Sequence, residues 1–142
     1  MKIAQHFDIR EFVPRSIWDR FGTSSLWFIR PEVPVFADGV RNHFGLATRC
    51  NDWLWGGRSH YRGYRPRTVN IGADNSIHRL GGALDLIVSG VSGNDVVEEV
   101  IANQQKFFDL GVRAVLRYKS PRTYAHLDCR NTGMSKLFII DV

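Results

Sequence analysis

The sequence predicts an α+β fold in which N-terminal helices pack on a mostly antiparallel sheet. Apolar residues recur at helical spacing in the first third of the chain, whereas strand-like segments joined by short connections dominate the second half. The chain has 142 residues, the size of one ordinary domain, and contains no repeat, linker or low-complexity segment. Residues 1–142 are therefore expected to form a single domain, with a helical layer over residues 1–45 and a core over residues 46–142.

Three helices are predicted by apolar spacing and by residues that are typical of helix ends. They span Pro14–Phe21, Pro31–Phe44 and Asp95–Leu110. Proline is tolerated in the first turn of a helix, and glycine is common just after the last residue, where Gly22, Gly45 and Gly111 stand here. Ser92 or Asn94 is expected to cap the third helix, because either side chain accepts a hydrogen bond from a free backbone N–H.

Five strands are predicted, at Leu46–Cys50, Ala83–Val88, Val112–Arg117, Thr123–Cys129 and Lys136–Ile140. The last three are separated by connections at residues 119–121 and 131–133, which are short enough for antiparallel neighbours. Residues 51–75 are dense in glycine, arginine and aromatic residues and follow neither helical nor strand periodicity. They are expected to form a long structured loop, and loops of this length usually carry function.

Charge and cysteine content limit the classes of function. The chain has 19 Lys and Arg against 14 Asp and Glu, a net charge of +5, and its excess of arginine favours carboxylate-bearing or other anionic partners such as the bacterial cell wall. Nucleic acid ranks last, because the charge is spread along the chain and no recognised binding motif is present. No segment has the apolar length of a membrane span or a signal peptide, so synthesis in a cytoplasm is expected. Cys50 and Cys129 are expected to be buried reduced thiols, with a single bridge as the alternative.

Three side chains that are costly to bury point to a metal site. Asp85 shares a strand face with Ala83 and Ile87, and His78 precedes a Gly-Gly bend that is able to fold the imidazole toward this carboxylate. On the later strand, the same period of two places four polar residues on one face, namely Tyr124, His126, Asp128 and Arg130. Two imidazoles and one carboxylate form a common catalytic zinc set. The alternative is that His78 caps a turn, Asp85 pairs with an arginine and His126 is a satisfied strand histidine.

The residues around these three side chains resemble a known family. The string Ser76-x-His78-x-x-Gly81-x-Ala83-x-Asp85, followed by His126-Leu-Asp128-Cys-Arg130, is similar to motifs of the zinc D-alanyl-D-alanine carboxypeptidase family of peptidoglycan peptidases. That family includes vancomycin-resistance dipeptidases, cell-wall endopeptidases and many phage lysins. Upstream, Arg62-Gly-Tyr-Arg65-Pro and Asn70-x-Gly72 resemble the family segment in which an arginine after Gly-Tyr binds substrate. The resemblance covers roughly residues 46–130.

This resemblance implies one Zn2+ per chain, bound by His78, Asp85 and His126. It assigns Arg65 to the substrate carboxylate or the developing oxyanion, which a planar guanidinium holds with two N–H groups at once, and it makes Arg62 the nearest competitor. Ser76 and Tyr124 are further candidates for contact with the substrate. Tyr124 would serve either as an oxyanion donor or as a packing aromatic.

The general base is the point at which this sequence departs from the family pattern. Many members carry Glu or Asp three residues before the last histidine, where the carboxylate takes a proton from water, but Thr123 occupies that position here. The nearest carboxylate is Asp128, which lies about 7 Å along the strand from His126. Asp128 is either the base or, in the favoured role, the acceptor of the free N–H of a zinc-bound imidazole.

The resemblance implies a zinc metallopeptidase that acts on peptidoglycan peptides, as a D-Ala-D-Ala carboxypeptidase or a cross-link endopeptidase. A phage-encoded protein that meets the cell wall after lysis or as part of the virion fits the compact chain best. The alternative is a virion, tail or wall-binding protein that keeps the peptidase fold and its zinc with little or no catalysis, and the absence of a carboxylate at Thr123 motivates it. A nucleic-acid-binding domain is the third hypothesis and a membrane protein is not expected.

Overall fold

Four α-helices and one five-stranded sheet make up the regular structure, which a computed structural model describes over residues 1–142. The helices are α1 (Arg15–Phe21), α2 (Glu32–Phe44), α3 (Gly93–Ala102) and α4 (Gln104–Asp109). The strands are β1 (Thr48–Arg49), β2 (Ala83–Val88), β3 (Ala114–Arg117), β4 (Ala125–Asp128) and β5 (Phe138–Asp141). Short 3-10 helices connect them at Ile9–Glu11, Gly22–Phe28, Trp53–Trp55 and Ile77–Leu80. The predicted α+β class is confirmed.

The sheet has the strand order β1-β2-β4-β3-β5. β2 pairs antiparallel with β1 and β4, and β3 pairs antiparallel with β4. The prediction that β5 is an antiparallel neighbour of β4 is wrong, because β5 pairs with β3 and runs parallel to it. Both edges of β4 are already occupied by β2 and β3. The chain therefore reverses direction after β4, as a short connection requires, but passes β3 and joins its free edge.

The predicted helix over residues 95–110 is also corrected, because it is two helices. Asn103 lies between α3 and α4 with φ −115° and ψ 35°, outside the helical region. Its side-chain amide donates to the backbone carbonyl of Glu99 at 2.9 Å and to the Glu99 carboxylate at 3.1 Å. Such local side-chain bonds compete with the helical pattern, so the chain turns at this residue.

Ser92 is the cap of α3, and Asn94 has a different task. The Ser92 hydroxyl accepts a hydrogen bond from the backbone N–H of Asp95 at 3.1 Å. The Asn94 amide instead donates to the backbone carbonyls of Tyr118 and Ser120, and its oxygen accepts from the N–H of Arg122 at 2.7 Å. It therefore fixes the loop that leads from β3 into β4, which borders the candidate site.

The hydrophobic core lies between the helices and one face of the sheet. Leu84, Leu86 and Val88 of β2 are fully or almost fully buried there, in one cluster with Phe36 of α2 and Val97 of α3. The opposite face of β2 carries Ala83, Asp85 and Ile87, so the predicted assignment of the two faces is confirmed. Burying the apolar face stabilises the fold and leaves the polar face free for a site.

The first strand, the long loop and the two cysteines broadly agree with the predictions. β1 is shorter than the predicted strand Leu46–Cys50, because the N–H of Asn51 donates to the carbonyl of Glu11 and the chain leaves the sheet. Residues 51–75 form a long loop whose only regular element is the 3-10 helix Trp53–Trp55. Cys50 and Cys129 are buried and unpaired, as expected. None of the helices combines the length and apolar content that crossing a lipid bilayer requires.

Candidate metal centre

Asp85 and His126 face each other across two neighbouring strands. They are directly opposite in the antiparallel register of β2 and β4, so both side chains project from the same face of the sheet. Oδ1 of Asp85 lies 2.9 Å from Nδ1 of His126. Both residues are 6 % exposed, which is low for groups that carry or attract charge. The register of β2 and β4 therefore brings together two of the three predicted ligands.

His78 reaches this pair from the 3-10 helix Ile77–Leu80, which immediately precedes β2. The Ser76 hydroxyl caps this helix by accepting from the backbone N–H of His78 at 3.3 Å. Gly81 ends it with φ +67°, and a Cβ at this position would lie 1.8 Å from the carbonyl oxygen of Phe28. Only glycine fits both the left-handed conformation and this close approach. The predicted Gly-Gly bend thus fixes where His78 stands relative to Asp85.

A hydrogen bond to the backbone sets the tautomer of His78. Its Nδ1–H donates to the carbonyl of Gly63 at 2.8 Å, which leaves the lone pair of Nε2 free. Nε2 points to the other two candidate ligands, at 3.2 Å from Nδ1 of His126 and 3.3 Å from Oδ1 of Asp85. Metal-binding histidines commonly have this arrangement, with one ring nitrogen on a carbonyl and the other on the ion.

The three donor atoms form a triangle that matches the size of a zinc site. Its sides are 2.9, 3.2 and 3.3 Å. Two ligands of a tetrahedral ion with bonds of roughly 2.0–2.1 Å lie about 3.3 Å apart. His78, Asp85 and His126 therefore fit a divalent cation with little adjustment, and their donor atoms form the one metal-compatible cluster of the chain. Three ligands leave a fourth position open.

Arg65 pairs with the candidate ligand Asp85. Its Nη2 donates to Oδ2 of Asp85 at 2.8 Å, and its Nε donates to the carbonyl of Tyr61 at 2.6 Å. The sequence left open that Asp85 only forms an ion pair with an arginine. This pairing is present, but it involves Oδ2 alone, and Oδ1 of Asp85 faces the two histidines. Arg65 also lines the cleft in front of the triangle, and its role in substrate binding stays a prediction.

Asp128 forms a hydrogen bond with the second ring nitrogen of His126, Nε2. Its Oδ2 lies 2.9 Å from Nε2 of His126, so that Nε2–H donates to the carboxylate while Nδ1 faces the triangle. Arg130 donates to the same carboxylate through its backbone N–H, Nε and Nη2. Asp128 is completely buried. This geometry is that of an orienting carboxylate behind a metal-binding histidine, the favoured of the two predicted roles.

The ionisation states suit a cation site. Burial raises the pKa of the Asp85 carboxyl, but the hydrogen bond and the positive charge of His126 outweigh it and hold the pKa below its usual range. Burial lowers the pKa of His78, which keeps the ring neutral. For His126, burial is outweighed by the hydrogen bonds to Asp128 and Asp85, which raise its pKa. Two carboxylates thus attract positive charge to this ring, and a cation in the triangle satisfies the same attraction.

A cleft of about 400 Å³ opens in front of the triangle. The predicted residues Arg65, Ser76 and Tyr124 line it together with the three candidate ligands. It also contains Tyr118, which sequence analysis missed, and Arg130, which was placed on the right strand face but given no role. The period of two in β3 continues from Ala114, which is paired with Asp128, through Leu116 to Tyr118, and this is the signal that could have identified it.

Two predicted site residues, Arg62 and the buried Asp128 behind His126, do not line this cleft. The side chain of Arg62 lines a neighbouring cavity, and only its backbone carbonyl contributes near the site, by accepting from the N–H of Asp85 at 2.7 Å. Thr123, at the position where many members of the resembled family carry a base, is exposed and borders the same neighbouring cavity. The cleft itself contains no carboxylate other than Asp85.

Comparisons with protein-family models, with curated proteins and with solved structures found no match to this chain. The likeness to peptidoglycan peptidases therefore rests on the motif residues of the sequence. The geometry of His78, Asp85 and His126 is independent of that likeness, because it follows from strand register, a capped 3-10 helix and one glycine turn. This cluster is the candidate metal centre of the protein.

Proposed function

We propose that this protein is a zinc-dependent peptidase that hydrolyses peptides of peptidoglycan. The observation that supports hydrolytic chemistry is the triangle of donor atoms at 2.9, 3.2 and 3.3 Å, which leaves one coordination position facing an open cleft. Structural zinc sites are usually closed by four protein ligands, whereas catalytic sites keep one position open. The choice of peptidoglycan as substrate rests on the sequence motif and on the excess of arginine in the sequence.

A zinc ion held by these ligands supplies Lewis acidity, which polarises a carbonyl group and lowers the pKa of water. The protein's own residues position the donor atoms. Arg65 occupies Oδ2 of Asp85, so the carboxylate presents Oδ1, and Asp128 fixes the ring of His126 with Nδ1 toward the triangle. Locking donors by such outer contacts reduces the reorganisation needed during the reaction.

The cleft also offers groups for a developing negative charge. Burial raises the pKa of Tyr118 to about 12, and the electrostatic interaction with Tyr124 contributes to this increase. The hydroxyl of Tyr118 therefore stays protonated at neutral pH. A protonated phenol is a hydrogen-bond donor for a substrate oxygen. The guanidinium of Arg130 borders the same space and adds positive charge. Both residues are proposed to face the substrate carbonyl.

A second candidate function is a zinc-binding wall or virion protein with little turnover. It is favoured by a specific observation: Asp85 is the only carboxylate in the cleft, and Asp128 is buried and paired with Arg130. A peptidase needs a group that takes a proton and returns it to the leaving amine. Within the resembled family, phage lysins provide the setting that we propose for either function, with the protein meeting peptidoglycan after lysis or together with tail proteins in a virion.

The test combines metal content with turnover. The purified protein is expected to hold about one equivalent of zinc and to release new amino groups from cross-linked peptidoglycan only when zinc is present. Asp85→Ala is the inactive control. Zinc binding without release of amino groups from cross-linked and linear muropeptides would favour the second function, and failure to bind zinc would contradict both.

A further inference from the structure

A second cavity lies next to the metal cleft on the same face of the sheet. It has a volume of about 710 Å³, within the range of ligand pockets. Ile87 lines it, and Ile87 stands two residues after Asp85 on the same side of β2. On the neighbouring strand β1, Arg49 is paired with Ile87. The side chain of Arg49 therefore also projects from the sheet face that carries the metal ligands.

Three arginines, Arg49, Arg62 and Arg122, converge on this cavity, which we call the arginine cavity. No carboxylate lines it, and none of the three guanidinium groups takes part in an ion pair. The contact of Arg62 with the protein is a long one, from Nη1 to the carbonyl of Cys50 at 3.5 Å. Nε of Arg122 is buried without any hydrogen-bond partner. A buried donor on a cationic group is costly unless a partner binds to it.

Arg122 also joins the arginine cavity to the metal cleft. Its guanidinium carbon lies 4.6 Å from the ring centre of Tyr118, and that ring lines the metal cleft. Stacking on an aromatic face holds a guanidinium in place while leaving its edge free for hydrogen bonds to oxygen atoms. A single extended ligand is therefore able to occupy both spaces, with an anionic group at the arginines.

We propose that the arginine cavity binds a carboxylate of the peptide substrate at about two residues from the bond that is hydrolysed; this rests on the proposed function. The spacing comes from the strand. Ile87 stands two positions after Asp85 on β2, about 7 Å along the strand, and an extended peptide covers this distance with about two residues.

This spacing selects one type of carboxylate. In a carboxypeptidase substrate, the terminal carboxylate belongs to the residue directly after the cleaved amide, which is too close to reach the arginine cavity. The carboxylate in the arginine cavity therefore belongs to a side chain or to the stem of the substrate and not to the chain end next to the cleaved amide. Side-chain or stem carboxylates are the chemical class that a forked guanidinium holds best.

The test uses two blocked peptides with amidated ends, each with a D-alanyl amide. One carries glutamate two residues from this amide and the other carries glutamine. Titration calorimetry of the full chain, with and without zinc, is expected to show about tenfold tighter binding of the glutamate peptide, as for one charge-assisted contact. Arg49→Gln and Arg122→Gln should each remove most of this preference without changing zinc content. Arg20→Gln, an exposed arginine of α1, is the matched control and should retain it.

Equal affinity for the two peptides would overturn the proposal, and so would a preference that both cavity variants retain. Inorganic phosphate is titrated as a second probe. Phosphate binding that Arg122→Gln abolishes, with no binding of either peptide, would assign the cavity to an inorganic anion instead. The titrations require no turnover. Absence of hydrolysis would therefore count against the proposed function alone and would leave the carboxylate preference intact.

Discussion

His126 donates its Nε2–H to Oδ2 of the fully buried Asp128 at 2.9 Å, and this contact turns its Nδ1 toward Asp85. The pairing decides which nitrogen of the ring is available to a cation. It also shows why Asp128 is poorly suited to accept a proton from the cleft, because Arg130 holds both of its oxygens. Burial raises the pKa of Asp128, but the hydrogen bonds from Arg130 and His126 outweigh it and keep the pKa below its usual range.

Asp128→Asn is expected to weaken zinc affinity by about 10- to 100-fold, because the His126 ring loses the acceptor that fixes its orientation. Competition with a zinc chelator of known affinity measures this change. Asp141→Asn is the matched control, since Asp141 also pairs with an arginine but its side chain is exposed. If Asp128→Asn instead keeps full zinc affinity and loses nearly all hydrolysis, Asp128 is the general base.

Asp85→Ala is expected to abolish zinc binding, because two histidines alone give an incomplete ligand set. Metal analysis of the purified variant by mass spectrometry gives the result directly. Asp74→Ala removes a carboxylate from the loop before His78 that is fully exposed, and it should leave the zinc content at the level of the unchanged protein. Normal zinc content in Asp85→Ala would contradict the assigned ligand set.

Arg65→Gln is expected to lower the free energy of unfolding of the zinc-free protein by about 3 kcal/mol, because a buried carboxylate loses its partner. The side chains of Arg65 and Asp85 are only 13 % and 8 % exposed, so solvent screens this pair weakly. Zinc should reduce the loss, since the cation compensates the same charge. Urea unfolding with chelator and with zinc measures both values.

The control for this pair is Arg117→Gln, which removes an exposed arginine partner of Asp141 and should change stability little. An Arg65→Gln variant that is as stable as Arg117→Gln would show that Arg65 does not neutralise Asp85. A loss of stability that is the same with and without zinc would argue against binding of the ion next to Asp85.

Gly81→Ala is expected to destabilise the protein by more than about 2 kcal/mol and to weaken zinc binding, because the new methyl group would overlap the carbonyl of Phe28. Gly133→Ala is the matched control. Gly133 has nearly the same φ, +65° against +67°, but nothing lies within 4 Å of its added Cβ. The control should therefore cost only about 1 kcal/mol and should keep zinc affinity unchanged. Equal effects in the two variants would reduce the role of Gly81 to its backbone conformation.

The buried carboxyl group of Glu11 is expected to make the free energy of unfolding depend on pH, independently of the metal centre. Burial raises the pKa of Glu11 to about 7 from an ordinary value of 4.5. The hydrogen bond from the backbone N–H of Asp8 and the charges of Lys2 and Arg10 oppose this increase, whereas the carboxylate charge of Asp8 adds to it. The folded protein therefore favours the protonated carboxyl. The resulting stability is fully present below pH 4.5 and is lost as the pH rises through about 7, with a total on the order of 3 kcal/mol.

Glu11→Gln should remove this component, because the amide keeps the acceptor for the backbone N–H of Asp8 but does not ionise. Urea unfolding of both proteins at intervals between pH 4.5 and 8 measures the difference in slope. Parallel stability curves for the two proteins over this range would contradict the raised pKa.

The candidate ligands could be predicted because strand periodicity and glycine act locally. A period of two assigns Asp85 to one face of β2 and His126 to one face of β4, and a Gly-Gly bend shortens the path from His78. The same logic could have included Tyr118 in the site. The break of the predicted helix at Asn103 does not follow from apolar spacing, because it depends on the side-chain hydrogen bonds of Asn103 to Glu99.

The sequence by itself determined the fold class, the two faces of the central strands and the set of residues able to bind a metal. Only the tertiary structure decided that Asp85 stands opposite His126, that Arg65 occupies Oδ2 of Asp85, and that Arg62 faces a separate cavity. It also decided that β5 lies beside β3. Periodicity states which way a side chain points within its own strand. Strand order, register and the partner of each charged group depend on hydrogen bonds and packing between distant segments, which no local pattern specifies.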